Sequence, residues 1–140
     1  MDCFKQALKG SPARDAFKQA HKKIDPTYYA FDLDLVLVSK SPPGIVAGFD
    51  YKTTTDRITF AEALGYNDLL CQFPIFIVES DDPDNGPFTI FEYLGGDWKP
   101  EPPVCQLRRV CTCDDWRAFR FFELGLRSEY YHTHTATGGI

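Results

Sequence analysis

The residues with the most chemistry to offer are Asp34 and, sixteen positions later, the triplet Asp50-Tyr51-Lys52. Asp34 follows Phe31-Asp32-Leu33 and leads into the apolar run Leu35-Val36-Leu37-Val38, while Asp50 and Lys52 close a second run, Ile45-Val46-Ala47-Gly48-Phe49. Phe31 to Val38 and Ile45 to Lys52 read as strands, and Ser41-Pro42-Pro43-Gly44 between them is a turn by composition. Antiparallel pairing through so short a turn gathers Asp32, Asp34, Asp50 and Lys52 at one end of the hairpin, and side-chain alternation sets Asp50 and Lys52 on one face. Two carboxylates and an ammonium placed together meet the minimum for phosphodiester hydrolysis. A hard divalent cation held by carboxylate and carbonyl oxygens polarises the phosphate and acidifies a bound water. A Lys beside it orients the nucleophile or offsets charge as the pentavalent state develops. The alternative is a hairpin end whose charges are simply solvated. A second acid-x-Lys triplet, Asp97-Trp98-Lys99, lies between Gly-Gly and Pro with no partner Asp at hairpin distance, so context selects Asp50.

Other elements must position these groups. Ser11-Pro12 is a helix-start signal, and Ala13, Ala16, Phe17, Ala20 and Ile24 form an apolar stripe that stops at Asp25-Pro26. Thr53-Thr54-Thr55-Asp56 supplies capping residues for a helix from about Arg57 to Gln72, with Phe60, Ala63, Leu64, Asn67, Leu70 and Cys71 inward. Pro74 to Glu79 is apolar enough for a central strand covered on both faces. The acidic loop Ser80 to Pro87 leads to another strand, Phe88 to Leu94. Gly95 to Pro103 reads as irregular, and a last helix starts near Cys113-Asp114 with Trp116, Phe119, Phe122 and Leu126 inward, followed by a loose tail from His132 to Ile140. The fold class is therefore α/β, a central mixed β-sheet flanked by helices.

This order, with Asp34-Leu35-Val36 opening one strand, Asp50-Tyr51-Lys52 closing the next and Thr-rich residues running into a helix, resembles the PD-(D/E)XK nuclease superfamily. Within that restriction-endonuclease-like fold it is similar to the small Holliday-junction-resolvase-like members, over roughly Ser11 to Leu94. The resemblance implies that Asp34 and Asp50 bind Mg²⁺ or Mn²⁺, that Tyr51 lends its backbone carbonyl, and that Lys52 sits beside the attacking water. Asp32 and Asp15 are the candidates for further metal oxygens, Asp15 standing where many members carry a Glu on the first helix. The exonuclease-like branch has Gln-x-x-x-Tyr on the helix after the Lys. Here Glu62-x-x-x-Tyr66 puts both side chains on one helical face, near the site or on a solvated polar face. A nuclease acting on DNA more than RNA, working as a homodimer, is what the family implies. A decayed, non-enzymatic binding module is the competing class.

Length and composition bound the remainder. The 140 residues suit one domain, with a nuclease-like core over 11–94, an extension carrying a helix over 95–131 and a tail over 132–140. Hydrophobic residues at 44% and charged ones at 25% are ordinary globular usage, whereas 15% aromatic is high. Phe17, Phe49, Phe60, Phe76, Phe91, Phe119 and Phe122 are expected inside. Fifteen Lys+Arg against 20 Asp+Glu, a net charge of −5, argue against coating nucleic acid by bulk attraction. A local basic face from Lys18, Lys22, Arg117, Arg120 and Arg127 could still carry a phosphate backbone, or be a solvated surface. The pairs Tyr28-Tyr29 and Tyr130-Tyr131 could stack on bases or meet a partner. Of five cysteines, Cys3, Cys105, Cys111 and Cys113 match an iron–sulfur branch in number only, and free thiols are expected. No signal-peptide pattern or membrane-length apolar run occurs, so the expectation is a cytoplasmic protein.

Overall fold

The computed structural model describes residues 12–24 and 31–136. They fall into two units, one within residues 1–30 and one from Phe31 onward, and each is described by itself. In the first, helix α1 spans Pro12–Ile24, with Asp15 in its first turn, where the helix dipole favours an acid. Phe17, expected inward, is instead 72% exposed; a stripe built mainly of alanine gives its ring little to pack against. Cys3, Ser11, Asp25-Pro26, Tyr28-Tyr29 and residues 137–140 lie outside the described residues.

The second unit runs β1 (Leu35–Lys40), β2 (Pro43–Lys52), α2 (Phe60–Leu69), β3 (Ile75–Glu79), β4 (Phe88–Asp97), β5 (Val104–Cys113) and α3 (Trp116–Ala136). The five strands lie in sequence order in one sheet. β2 and β3 are parallel and every other neighbouring pair is antiparallel, so the sheet is mixed, with α2 as the crossover between the parallel strands. Alternation divides the side chains between two cores. Phe49, Phe76, Val78, Phe88 and Ile90 meet Phe119 and Phe122 of α3 on one face. Ile75, Ile77 and Tyr93 meet Tyr66 of α2 on the other. β3 is buried on both faces until Glu79, as its apolar run predicts.

Several boundaries differ from expectation, each for a local reason. β1 begins at Leu35, not Phe31, because the Asp34 carboxylate accepts the Tyr51 N–H (2.8 Å) that a strand carbonyl would otherwise take. α2 begins at Phe60 because Thr59 is its N-cap, in a capping box with Glu62. Thr53 to Asp56 instead close a turn, Asp56 accepting from the Thr53 N–H at 2.9 Å. With α2 so short, Ala63 and Tyr66 form its buried face, while Leu64 and Cys71 are exposed. Gly95 to Asp97 continue β4 across a register shift, and β5, unread in the sequence, pairs along its length. α3 runs on through His132 to Ala136, where a loose tail was expected. Trp116 is half-exposed although its indole N–H donates to the Pro83 carbonyl (3.1 Å). No helix among the described residues is long and apolar enough to cross a membrane.

Candidate functional site

The chemistry-bearing residues meet where β2 runs out beside the start of β1 and under α2. Beyond the pair Leu35↔Phe49 the register sets Asp34 opposite Asp50. Asp50 is buried, with 3% of its surface exposed, on the sheet face that α2 covers. Asp34 is exposed, and its carboxylate lies within hydrogen-bonding reach of the Asp50 carboxyl. The Tyr66 hydroxyl, one helical turn after Glu62, donates to Asp50 Oδ2. Burial and then the Asp34 hydrogen bond and charge push the Asp50 carboxyl up to about 8, against Tyr66 and Lys52, which favour the ionised form. Loss of a proton from Tyr66 is opposed by burial and by Asp50, so the phenol is raised and remains the donor.

Lys52 follows on the same face, and its Nζ reaches both carboxylate oxygens of Glu62, at 2.7 and 2.6 Å. Both side chains are largely buried, 13% and 14% exposed. Burial alone would raise Glu62, but Lys52 and the Thr59 N–H (2.9 Å) outweigh it and hold the carboxylate below its ordinary value. Glu62 thus serves two purposes, capping α2 and gripping Lys52. The Glu62-x-x-x-Tyr66 face is therefore turned to the Asp-x-Lys triplet, not to solvent.

Main-chain geometry adds an oxygen. Gly48 and Lys52 make the ladder bonds to β3, Gly48 N–H to Pro74 O (2.9 Å) and Ser80 N–H to Lys52 O (3.0 Å). By alternation the N–H and C=O of Tyr51 point the other way, towards Asp34. The Tyr51 side chain crosses to the opposite face, where its hydroxyl donates to Ser80 O (2.5 Å). Burial, then Asp81, Asp56 and Asp82, raise that phenol. Thr54 ties the same region to the acidic loop, its N–H and hydroxyl both 3.0 Å from Asp81 Oδ1.

The donor set for a cation is two carboxyls from Asp34 and Asp50 and the Tyr51 carbonyl. Among the described residues no group of three or more His, Cys, Asp or Glu converges. That composition fits Mg²⁺ or Mn²⁺ in the manner of sites that use one or two carboxylates and leave other positions to water and substrate phosphate. It does not fit a closed all-protein cage. Two acids crowded within hydrogen-bonding reach, one already driven towards its neutral form, also make a place where positive charge is stabilising.

The other sequence candidates fall elsewhere. Asp32 is exposed and lies two residues before Asp34, ahead of β1. Asp15, Lys18 and Lys22 belong to α1 in the N-terminal unit. Arg117, Arg120 and Arg127 are exposed on α3, which covers the face opposite Asp50 and Lys52. Asp97 closes β4, contrary to the reading of its surroundings as irregular, but is exposed, and among the described residues its carboxylate accepts the Lys99 N–H (3.1 Å). Cys71, Cys105, Cys111 and Cys113 are free thiols, the last two with Sγ atoms 4.0 Å apart. Sequence reading missed Thr59, although Thr-x-x-Glu before an apolar run is a capping-box signature. Comparison of the chain with family models, curated proteins and solved structures finds no match in any of the three.

Proposed function

We propose that the protein is a Mg²⁺- or Mn²⁺-dependent nuclease that hydrolyses phosphodiester bonds in DNA, built on a restriction-endonuclease-like core. The observation that carries this reading is the meeting of Asp34, Asp50 and Lys52 with Glu62 and Tyr66 at one end of β2. Asp34, Asp50 and Lys52 are the residues the superfamily resemblance singles out; the antiparallel hairpin sets Asp34 beside Asp50, and the crossover helix brings Glu62 and Tyr66 to them. Asp34, Asp50 and the Tyr51 carbonyl would hold the cation, which when bound supplies phosphate polarisation and an acidified water. The chain's own residues do the positioning. The Tyr51 N–H fixes the Asp34 carboxylate, the Tyr66 hydroxyl fixes Asp50, and Glu62 holds the Lys52 ammonium on the face that α2 covers.

A second reading, a non-catalytic binding module of the same fold, draws on the two-oxygen grip of Glu62 on Lys52 and on the small acidic donor set. One assay separates them. Duplex, branched and single-stranded DNA, with RNA as comparator, are incubated with the protein and Mg²⁺ or Mn²⁺, beside Asp50→Ala and Lys52→Ala. Cleavage by the wild type that both substitutions abolish is expected. Cleavage that persists in both overturns the site, and no cleavage of any substrate favours the binding module.

A further inference from the structure

A cleft of about 340 Å³ opens beside Lys52 on the face that α2 covers. Its floor is apolar, made by Phe91 of β4 and Leu107 of β5 over the buried Ile77 of β3, and its rim carries Lys52, Asp56, Arg57 and Glu79. Among the described residues, the side chains of Arg57 and Glu79 have no hydrogen-bond or ion-pair partner, unlike Lys52, which Glu62 holds, and Asp56, which accepts from the Thr53 N–H. A guanidinium and a carboxylate without side-chain partners, beside an apolar floor, suit a molecule with mixed character. It has a planar body that leaves water readily, an anionic group at one end and an N–H donor at the other. The volume sits at the lower end of the range for small-ligand pockets and accommodates one such body, not a base pair.

We propose that this cleft is a subsite for a single unpaired nucleotide, whose base lies on Phe91 and Leu107 above the buried Ile77 and whose phosphate pairs with Arg57. Arg binds phosphate through paired, charge-assisted hydrogen bonds, and apolar or aromatic surfaces accept any base face. Glu79 accepts from an exocyclic amine, so cytosine is favoured over thymine. The inference rests on the nuclease reading for its biological use: with Lys52 on the rim, a nucleotide seated here continues towards Asp50. The substrate class it specifies is then a strand with an unpaired nucleotide, at an end or in a single-stranded stretch. A free nucleotide offers the same chemistry.

The test measures binding to the full-length, cation-free protein, so it does not depend on turnover. Deoxycytidine monophosphate, thymidine monophosphate, deoxycytidine and inorganic phosphate are titrated separately while methyl signals of Ile77 and Leu107 are followed by NMR. The monophosphate of cytosine is expected to bind best and to shift both methyl groups. Arg57→Ala, an exposed position, should weaken it by about tenfold or more while leaving the nucleoside unaffected. Leu107→Glu on the edge strand should weaken both. Inorganic phosphate binding as tightly as the nucleotide, or binding indifferent to Arg57→Ala and Leu107→Glu, overturns the subsite. A four-residue single strand that outcompetes the mononucleotide marks a strand as the source, and equal affinity marks a free nucleotide. Nucleotide binding without cleavage of any substrate would reject the nuclease and keep the subsite. Cleavage with no nucleotide in the cleft would do the reverse.

Discussion

At the scale of single residues, Asp50 is the most consequential group in the chain. A carboxyl buried beside another carboxyl is raised to about 8 in the fold, whereas in the unfolded chain it titrates near 4. Between those values the folded protein binds the extra proton, so the stabilisation is complete below about pH 4 and is lost as pH rises towards 8. For one proton the slope approaches about 1.4 kcal/mol per pH unit. Thermal melts of the cation-free protein should therefore shift downward between pH 5 and pH 8, and Asp50→Asn should remove most of that dependence. A melting temperature equally pH-dependent in the Asn variant would place the proton elsewhere. Tyr66→Phe acts in the opposite direction to a neutralising change. It deletes the donor that favours the ionised form, so Asp50 titrates at still higher pH and stability falls by about 1 kcal/mol. Measuring the Asp50 titration by carboxyl NMR in both proteins checks the direction. That a role for Tyr66 could be read in advance follows from its i, i+4 spacing to Glu62. The depth of Asp50 could not, because burial is a property of the sheet and of α2 above it, not of the triplet.

At the scale of elements, α2 is the part that turns a hairpin end into a site. Glu62 caps it and also grips Lys52, and two substitutions divide those tasks. Glu62→Gln keeps a group that can bond the Thr59 N–H and loses the ion pair, while Glu62→Ala loses both. The expected order of stability is wild type, then Gln, then Ala, with the last step worth about 1 kcal/mol. Equal losses in the two variants would mean that the cap contributes nothing. Gly65 explains how the helix seats so closely. A Cβ there would overlap the Phe31 ring, which packs edge-on against Tyr66 at 5.7 Å. Gly65→Ala gains about 1 kcal/mol of helix propensity but forces the ring away, at about 1–3 kcal/mol. The net expectation is a lower melting temperature, restored in part by adding Phe31→Leu. Elements with a strong period were legible: α1 from its Pro and apolar spacing, the hairpin from its turn, β3 from its continuous apolar run. β5 was not, because an exposed edge strand whose centre reads Gln106-Leu107-Arg108-Arg109 has no buried face to impose alternation. Asn67, the polar residue on the expected inward stripe of α2, has a partner on the sheet. It accepts from the Tyr93 hydroxyl (2.7 Å) and donates to Gly96 O (2.9 Å), stitching α2 to β4.

At the scale of the whole molecule, the sheet separates stability from chemistry. Phe49 and Asp50 are neighbours in sequence, yet alternation sends one into the aromatic cluster under α3 and the other under α2. Phe49 stacks on Phe76 at 5.6 Å and meets Phe119 at 5.9 Å, and the high aromatic content is shared between that face and the one under α2. The net charge of −5 is likewise an average over unlike regions. The acidic loop after β3 lies next to the site, tied to it by Thr54 and Ser80. Arg117 and Arg120 lie in the first turns of α3 on the other face, and the Trp116 indole donates to the Pro83 carbonyl of that loop. Two faces with no shared side-chain contacts should respond independently to mutation. Phe119→Leu is expected to cost about 1 kcal/mol by loosening the α3 face, and Asp50→Asn to stabilise the protein at pH 8 by removing a buried ionising group. Combined, their effects on unfolding in denaturant should add to within about 0.5 kcal/mol, and Phe119→Leu should leave the pH dependence of stability unchanged. A coupling clearly larger than that would mean the sheet transmits strain from the α3 core to Asp50. The aromatic cluster would then be part of what sets the ionisation of the site.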